Sequence, residues 1–370
     1  MEEMSSIETQ CCIVGGGPAG VMAGLLFARA GVDTVVLEKH GDFLRDFRGD
    51  TVHPSTLQVM HELGLLEAFL DRPHDRLAKI GGVFFGRAIR LADFSSLPTR
   101  CKFIALMPQW HFLDFLCDAA RPLPGFRLHM NAKGGDLVRD GDRVTGVTAE
   151  IDGRPVRIDA RLVIGANGRH SAMREAAGLR RKQIGAPIDV MWFRAPRDGP
   201  DTDEEPLFHA GDGHAIVTIN RGDYYQCAFI IEKGGADRVR SGGIDAFRDA
   251  VGRTAPKLAG ATNAIRSFDD VKLLTVAMDR LETWHRPGLL MIGDAAHAMS
   301  PVAGVGINLA IQDAVAAANL FAGPLADGSF RDGDLDALRQ RREWPVRATQ
   351  FFQTQVQDRI VSPLIGGQTS

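Results

Sequence analysis

Two glycine-containing runs, separated by most of the chain, carry the residues best suited to chemistry. The first, Gly15-Gly16-Gly17-Pro18-Ala19-Gly20, has the form G-x-G-x-x-G and follows an apolar stretch, Cys11-Cys12-Ile13-Val14. Gly15 permits a tight bend, Gly17 lets a pyrophosphate approach the backbone, and Gly20 lets the next helix pack closely on the strand. That helix would aim unpaired N–H groups and a positive dipole end at the phosphates. Glu38, with Lys39 beside it, ends the following apolar stretch. An acidic residue roughly 20 positions past the glycines is where a βαβ unit offers a carboxylate to a ribose hydroxyl. Alone, this unit specifies a dinucleotide without saying which. The second run, Gly293-Asp294-Ala295-Ala296-His297, continues to Pro301, Gly304, Val305, Gly306, Ile307 and Asn308.

The elements that must position these runs can be read from periodicity. Residues 9–40 read as strand, turn, helix and strand, and 54–70 and 109–120 have helical apolar spacing. Strands are expected over 127–130, 142–151, 155–158 and 161–165, the last ending at Ala166-Asn167-Gly168 before a helix over 171–177. Residues 186–270 are strand-rich, with strands over 190–194, 215–220 and 224–232 and a helix over 245–253. A buried strand over 289–292 precedes an alanine-rich helix over 306–320. A closing helix over 335–356 contains Pro345, which is expected to kink or split it. The pattern predicts an α/β chain: a Rossmann-like nucleotide-binding domain from 1–75, 98–185 and 271–330, an inserted β-sheet substrate domain from 76–97 and 186–270, and a C-terminal helical segment, 331–370. Substrate would sit where the two domains meet.

Composition narrows the class. The net charge of −3 and the scattered Lys and Arg give no basis for nucleic-acid or membrane binding. No apolar stretch approaches the roughly 20 residues that span a bilayer. Residues 1–10 lack a signal-peptide core, and five cysteines without metal-type spacing suit a reducing compartment. The adjacent Cys11 and Cys12 read as small core fillers. A cytoplasmic monomer or homodimer is expected. No second G-x-G-x-x-G appears, so any second dinucleotide lacks a dedicated domain.

Three blocks, in order, resemble the single-component FAD-dependent aromatic hydroxylases, the flavoprotein monooxygenases typified by para-hydroxybenzoate hydroxylase. They are the 15–20 turn with Glu38; Gly165-Ala166-Asn167-Gly168-Arg169-His170-Ser171-Ala172-Met173-Arg174; and the Gly293 run through Asn308 and Asp313. The resemblance implies FAD on a glutathione-reductase-type domain, with NADH or NADPH as reductant. It further implies that a flavin C4a-hydroperoxide hydroxylates a small aromatic or other electron-rich substrate with O2. On this reading Asp294 bonds the ribityl chain, and Pro301 to Gly306 run past the flavin ring. The helix at Gly306 then aims its N–H groups at the edge that gains negative charge on reduction. Arg48 resembles the family's arginine near flavin and pyrophosphate.

Two positions depart from the family pattern. Asn167-Gly168 stands where relatives usually have Asp-Gly, a segment associated with both FAD and the nicotinamide. Gln109 stands where many carry a cofactor-contacting arginine. Asn keeps the turn and an acceptor oxygen but loses the charge. Trp192 and Arg194, sharing a strand face, and His209, Tyr225 and Gln226 are candidate substrate contacts. His53 and His297, beside the Arg48 loop and the Asp294 run, and Pro301 are the catalytic candidates, with the flavin carrying the chemistry. No Ser-His-Asp or metal constellation is present. Three rival readings share the fold. A flavin-dependent halogenase would want a lysine in a glycine-rich strand and a Trp-x-Trp-x-Ile segment; Lys79-Ile80-Gly81-Gly82 is present, the double tryptophan is not. An alkene reductase, or an FAD protein with impaired nicotinamide reduction, are the others.

Overall fold

A strand buried on both faces needs an almost unbroken apolar run, and residues 11–14 supply one: each is at most 4% exposed. They end the strand Ser5–Val14, which lies at the centre of the first sheet in the computed structural model, where residues 5–44, 51–197 and 207–365 are described. The strand pairs in parallel with Thr34–Leu37 on one side and Arg154–Gly165 on the other. Phe126–His129 and Leu289–Met291 extend the parallel core outward, and His285–Arg286 closes one edge antiparallel. The two strands expected over 155–158 and 161–165 form one twelve-residue strand, Arg154–Gly165. Its first half pairs with an antiparallel meander of Ala132–Asp140 and Arg143–Ile151. Cys11 and Cys12 are fully buried, and burial pushes the Cys12 thiol up to about 12. Core filling is their role. All five cysteines are free and buried.

A second sheet of seven strands runs in the order Lys272–Leu274, Ile188–Pro196, Tyr224–Glu232, His214–Asn220, Phe208–Gly211, Lys79–Phe84 and Arg87–Asp93. Lys272–Leu274 lies beyond the expected boundary at residue 270 yet pairs with 190–192. A three-residue edge strand has too few positions for alternation to show. One face of this sheet carries Met191, Phe193, Tyr225, Cys227 and Phe229 against the helix Gly243–Thr254 and the turn Pro256–Ala264. The other carries Val190, Trp192, Ala228 and Ile230 against Val276, Val302 and Val361.

Two helices differ from expectation. Pro345 does not break the closing helix, which runs unbroken over Asp336–Val356. The helix Gly306–Asp327 is longer than expected, and the stretch Val302–Asp327, with a mean hydropathy of 1.3 over its most apolar window, is long and apolar enough to cross a bilayer. The expectation that no apolar stretch approaches the length of a bilayer span is therefore not met by length and composition alone. Here 61% of the window is buried, and the helix packs on Pro18–Arg29. It is a core helix.

Candidate functional site: a dinucleotide cradle on two glycine turns

Gly15 stands at φ +113°, and a Cβ on it would lie 2.4 Å from the Ala166 carbonyl oxygen. A Cβ on Gly20 would come within 1.8 Å of the Gly15 carbonyl oxygen. Only glycine lets strand, turn and helix close this tightly. A Cβ on Gly17, by contrast, would meet nothing within 4 Å. Open space therefore fronts the N-terminus of Pro18–Arg29, which has no side-chain cap and no acidic residue in its first turn. Its unpaired N–H groups are oriented for an anion. Glu38 accepts from the Gly16 N–H at 3.0 Å and the His40 N–H at 3.1 Å, so the carboxylate is fixed at the turn. Lys39 follows it, exposed.

The middle block touches this turn directly. The Ala166 N–H donates to the Val14 carbonyl at 2.8 Å, and Asn167 Cα lies beside Gly15. Asn167 Oδ1 is buried without a hydrogen-bond partner. An orphaned acceptor is costly unless a ligand or water fills it. Gly168 follows at φ +82°. Arg174, 1% exposed, donates to the Arg169 carbonyl at 2.8 Å and the Ala295 carbonyl at 3.2 Å. It ties the middle block to the distant glycine run.

That run forms a short turn, Gly293–Ala295, packed on the first helix: a Cβ on Gly293 would lie 3.0 Å from Ala19 Cβ. The Asp294 side chain is 33% exposed and meets Arg169 Nη2 at 3.4 Å. Behind it, Asp313 is fully buried and accepts from three groups: His297 Nε2 at 2.6 Å, Arg342 Nε at 2.8 Å and the Gly293 N–H at 3.0 Å. Burial alone would raise the Asp313 carboxyl, but His297 and Arg342 outweigh it and hold it below the usual carboxylate range. His297, 1% exposed and against the Trp284 ring, serves this network. Its Nε2 is committed to Asp313, and its Nδ1 is buried without a hydrogen-bond partner, so the geometry gives His297 a structural place in this network.

The loop after Pro301 completes the cradle. Ala303 and Gly304 take left-handed φ of +63° and +60°, and a Cβ on Gly304 would stand 2.2 Å from Thr51 Oγ1. Thr51 Oγ1 donates to the Gly304 carbonyl at 2.7 Å. Asn308 Oδ1 accepts from the His53 N–H and Thr56 Oγ1, and Nδ2 donates to the Thr51 and Gly304 carbonyls. All four of its bonding capacities are spent inside the protein. The Asn308 side chain is thus a brace for the loop, and what it can offer a cofactor is its backbone N–H in the first turn of the helix. Gln353, fully buried, donates to the Ser300 and Val302 carbonyls and accepts from the Ser300 N–H, holding the loop from the other side. Val305 and Gly306 begin a 22-residue helix with no capping side chain and no acid in its first turn; Ile307 is buried. Burial lowers the His53 imidazole to about 4 against an opposing hydrogen bond to the Ala303 backbone, and His53 Nε2 is buried without a partner.

Among the remaining expected residues, Gln109 opens the helix Gln109–Ala120. Arg48 lies outside the described residues. The five substrate candidates divide by sheet face. Trp192 faces the Val302 side, and Arg194 and Gln226, registered opposite each other, share its parity. Tyr225 belongs to the helix-covered face, and His209, registered opposite Ile216 of that face, meets Thr218 Oγ1 at 3.4 Å. Those two point away from the loop, which corrects their candidacy. Thr51, Arg342 and Gln353 were missed; the polar series Arg342, Gln350, Gln353 and Gln357 at helical spacing was the available signal. A groove of about 310 Å³ beside Lys133, Thr148 and Glu150 includes none of these residues.

Two donor-rich helix ends, an orphaned buried acceptor and a half-exposed carboxylate in one cradle define a protein that holds an extended dinucleotide. The chain belongs to the FAD-binding domain family of FAD-dependent monooxygenases: the family model, described as FAD binding domain, matches residues 8–351. 6-Methylpretetramide 4-monooxygenase of Streptomyces rimosus is 33% identical over 343 residues, covering 90% of this chain and 80% of that protein. The solved structure of pqsL, a probable FAD-dependent monooxygenase from Pseudomonas aeruginosa, superposes with a TM-score of 0.81 at 21% identity over 98% of both chains. The myxobacterial chondrochloren halogenase CndH superposes at 0.78 with 16% identity, covering 93% of this chain and 82% of its own. These two likenesses show the fold. The cofactor is FAD, and the residues present fit it.

Proposed function

We propose that this chain inserts one atom of O2 into an electron-rich aromatic substrate held between the second sheet and the loop 301–306, with NADH or NADPH as reductant. The observation that carries this is the Trp192 face of the second sheet packing against Val302, in the loop that both Asn308 and Gln353 brace. FAD, when bound, supplies the activation of O2. The helix end at Pro18 holds the pyrophosphate, Glu38 a ribose, Asp294 the hydroxyls of the chain between phosphate and ring, and the helix end at Gly306 the ring edge that becomes negative. Trp192, Val217 and Leu106 supply apolar walls that exclude water, and Arg194 and Gln226 supply polar groups to orient a substrate oxygen. His53 stays neutral through the physiological range. Since Nε2 is the ring nitrogen without a partner, Nδ1 is the one bonded to Ala303, and Nε2 is left as a hydrogen-bond acceptor beside the loop, too weak a base to take a phenolic proton.

A halogenase reading finds less support. Lys79, its expected lysine, is an exposed strand end registered opposite Asp93 at the far side of the second sheet. The test is NADH or NADPH oxidation by the purified yellow protein, which a phenolic substrate should accelerate with equal consumption of O2. Oxidation that no phenol or heteroaromatic stimulates removes the hydroxylase reading.

Two substitutions separate binding from reduction. Asp294→Ala is expected to purify without flavin absorbance, since Arg169 is left facing the site and the hydroxyl acceptor is gone. Asn167→Asp should keep FAD and change only the rate of reduction by the nicotinamide; loss of flavin from that variant contradicts the role given to the middle block.

A further inference from the structure

The short antiparallel pair Arg181–Gln183 and Asp279–Leu281 lies beside the strand His297–Ala298, which leads into the loop at Pro301. Alternation sends Arg181 and Asp279 to one face, where they pair at 3.2 Å. On the other face Lys182 is registered directly opposite Arg280. Like charges directly opposite each other destabilise a strand pair, and neither residue forms an ion pair among the described residues. Lys182 is exposed. Arg280 is half-buried and turns to the closing helix, where its Nη1 donates to the neutral Gln350 amide oxygen at 3.0 Å. Arg347, one helical turn before Gln350, adds a third cation. Burial and then Arg347 lower the Arg280 guanidinium from its usual value, with Glu343 acting against them. Glu343 is itself engaged by Arg339 at 2.6 Å and reaches Arg347 only at 4.0 Å. Glu282, on the same face as Lys182, is taken by Arg180 at 3.2 Å. We propose that Lys182, Arg280 and Arg347 bind a phosphate monoester, the 2′-phosphate of NADPH.

The inference rests on reduction by a nicotinamide, as proposed above. The chain has one G-x-G-x-x-G, so a second dinucleotide has no domain of its own and is met by side chains. A phosphate monoester carries about −1.5 to −2 at pH 7. That matches three converging cations better than the single charge of a carboxylate. Arg offers phosphate a fork of N–H donors and Lys a point charge. The place fits as well. Gln350, which Arg280 bonds, donates to the Asp279 and Ala298 carbonyls, and Gln353, one turn on, holds those of Ser300 and Val302. The cations therefore stand against the same helix that braces the flavin-side loop. A phosphate there relieves the repulsion between Lys182 and Arg280. NADH has no monoester to offer, so NADPH is the preferred reductant.

Anaerobic reduction of the FAD-loaded protein at low ionic strength, followed by flavin absorbance, should reach half its maximal rate with NADPH at a concentration at least about tenfold below that of NADH. That is the worth of one charge-assisted hydrogen bond. Lys182→Gln and Arg347→Gln, both at exposed positions, should each raise the NADPH concentration needed by about tenfold and cut the preference over NADH, with flavin content retained. Arg280 is left in place because it bonds Gln350. In calorimetry, adenosine 2′,5′-bisphosphate should bind the wild-type protein, compete with NADPH and bind both variants more weakly, and inorganic phosphate should bind far less tightly than the bisphosphate. Bisphosphate binding that depends on Lys182 and Arg347, in a protein that neither nicotinamide reduces, supports the phosphate site and removes the reductant reading instead. Equal use of NADH and NADPH, a bisphosphate that does not bind, inorganic phosphate that binds as tightly, or an affinity unchanged in both variants overturns the proposal.

Discussion

Asp313→Ala is expected to destabilise the fold by about 3–5 kcal/mol, the usual cost of removing one partner from a buried ion pair. The carboxylate has no exposed surface and serves Arg342, His297 and the Gly293 N–H together. Without it, the Arg342 guanidinium, 8% exposed, has no other ion pair among the described residues and keeps only its bond to the Gln312 amide oxygen. Asp313→Asn should cost less, since an acceptor oxygen remains. The pH dependence follows from the direction of the Asp313 shift. Burial pushes the carboxyl up, His297 and Arg342 bring it down, and the net is a folded-state value below that of the unfolded chain. Its contribution is therefore fully present above the unfolded carboxyl value, about 4, and is lost as pH falls through the depressed folded value. Urea unfolding of both variants measures this. An alanine variant as stable as wild type, with unchanged acid sensitivity, contradicts the network.

Gly20→Ala is expected to abolish FAD binding. The added methyl would lie 1.8 Å from the Gly15 carbonyl oxygen and 3.3 Å from Ile13 Cγ2, and the first of these is backbone that cannot swing aside. Either the helix retreats from the strand or the turn opens, and both misplace the N–H groups that meet the pyrophosphate. Overpacking of this kind costs about 1–3 kcal/mol in stability, so the protein should remain folded while purifying colourless. Gly323→Ala is the control, since its Cβ would meet nothing within 4 Å. It should keep FAD and gain up to about 1 kcal/mol from better helix propensity. Flavin retained at wild-type affinity by Gly20→Ala would remove the steric account of the turn.

Much of the cradle was legible because its constraints are local and steric. A glycine forced by backbone contact, as at 15 and 20, or by a left-handed φ against a neighbouring side chain, as at 304, leaves the same mark in any chain that folds this way. The strand 11–14 was legible because burial on both faces demands an unbroken apolar run. What escaped depends on which face of an element meets what. Tyr225 and Gln226 are neighbours in sequence, yet one joins the helix-covered core and the other shares the face of Trp192. Nothing in the local pattern says which side the inserted sheet turns to the loop. The closing helix shows the same limit: Gln350 and Gln353 look like part of a solvated stripe, but they bury their amides against the backbone carbonyls of Asp279, Ala298, Ser300 and Val302. Pro345 lacks the N–H that a helix interior uses, and the surrounding contacts of Arg342, Val346 and Gln350 hold the helix through it. Asn308 kept its place at the helix end, but its side chain braces the loop, a use that no local pattern announces.

The most direct test of the central claim is the fate of the oxygen atom. FAD-loaded protein, supplied with NADH or NADPH and isotopically heavy O2, should yield an aromatic product carrying one heavy atom. Heavy water under ordinary O2 should leave the product unlabelled. A product labelled from water, or nicotinamide oxidation that yields only hydrogen peroxide with every aromatic offered, would contradict oxygen insertion at the loop between Pro301 and Gly306.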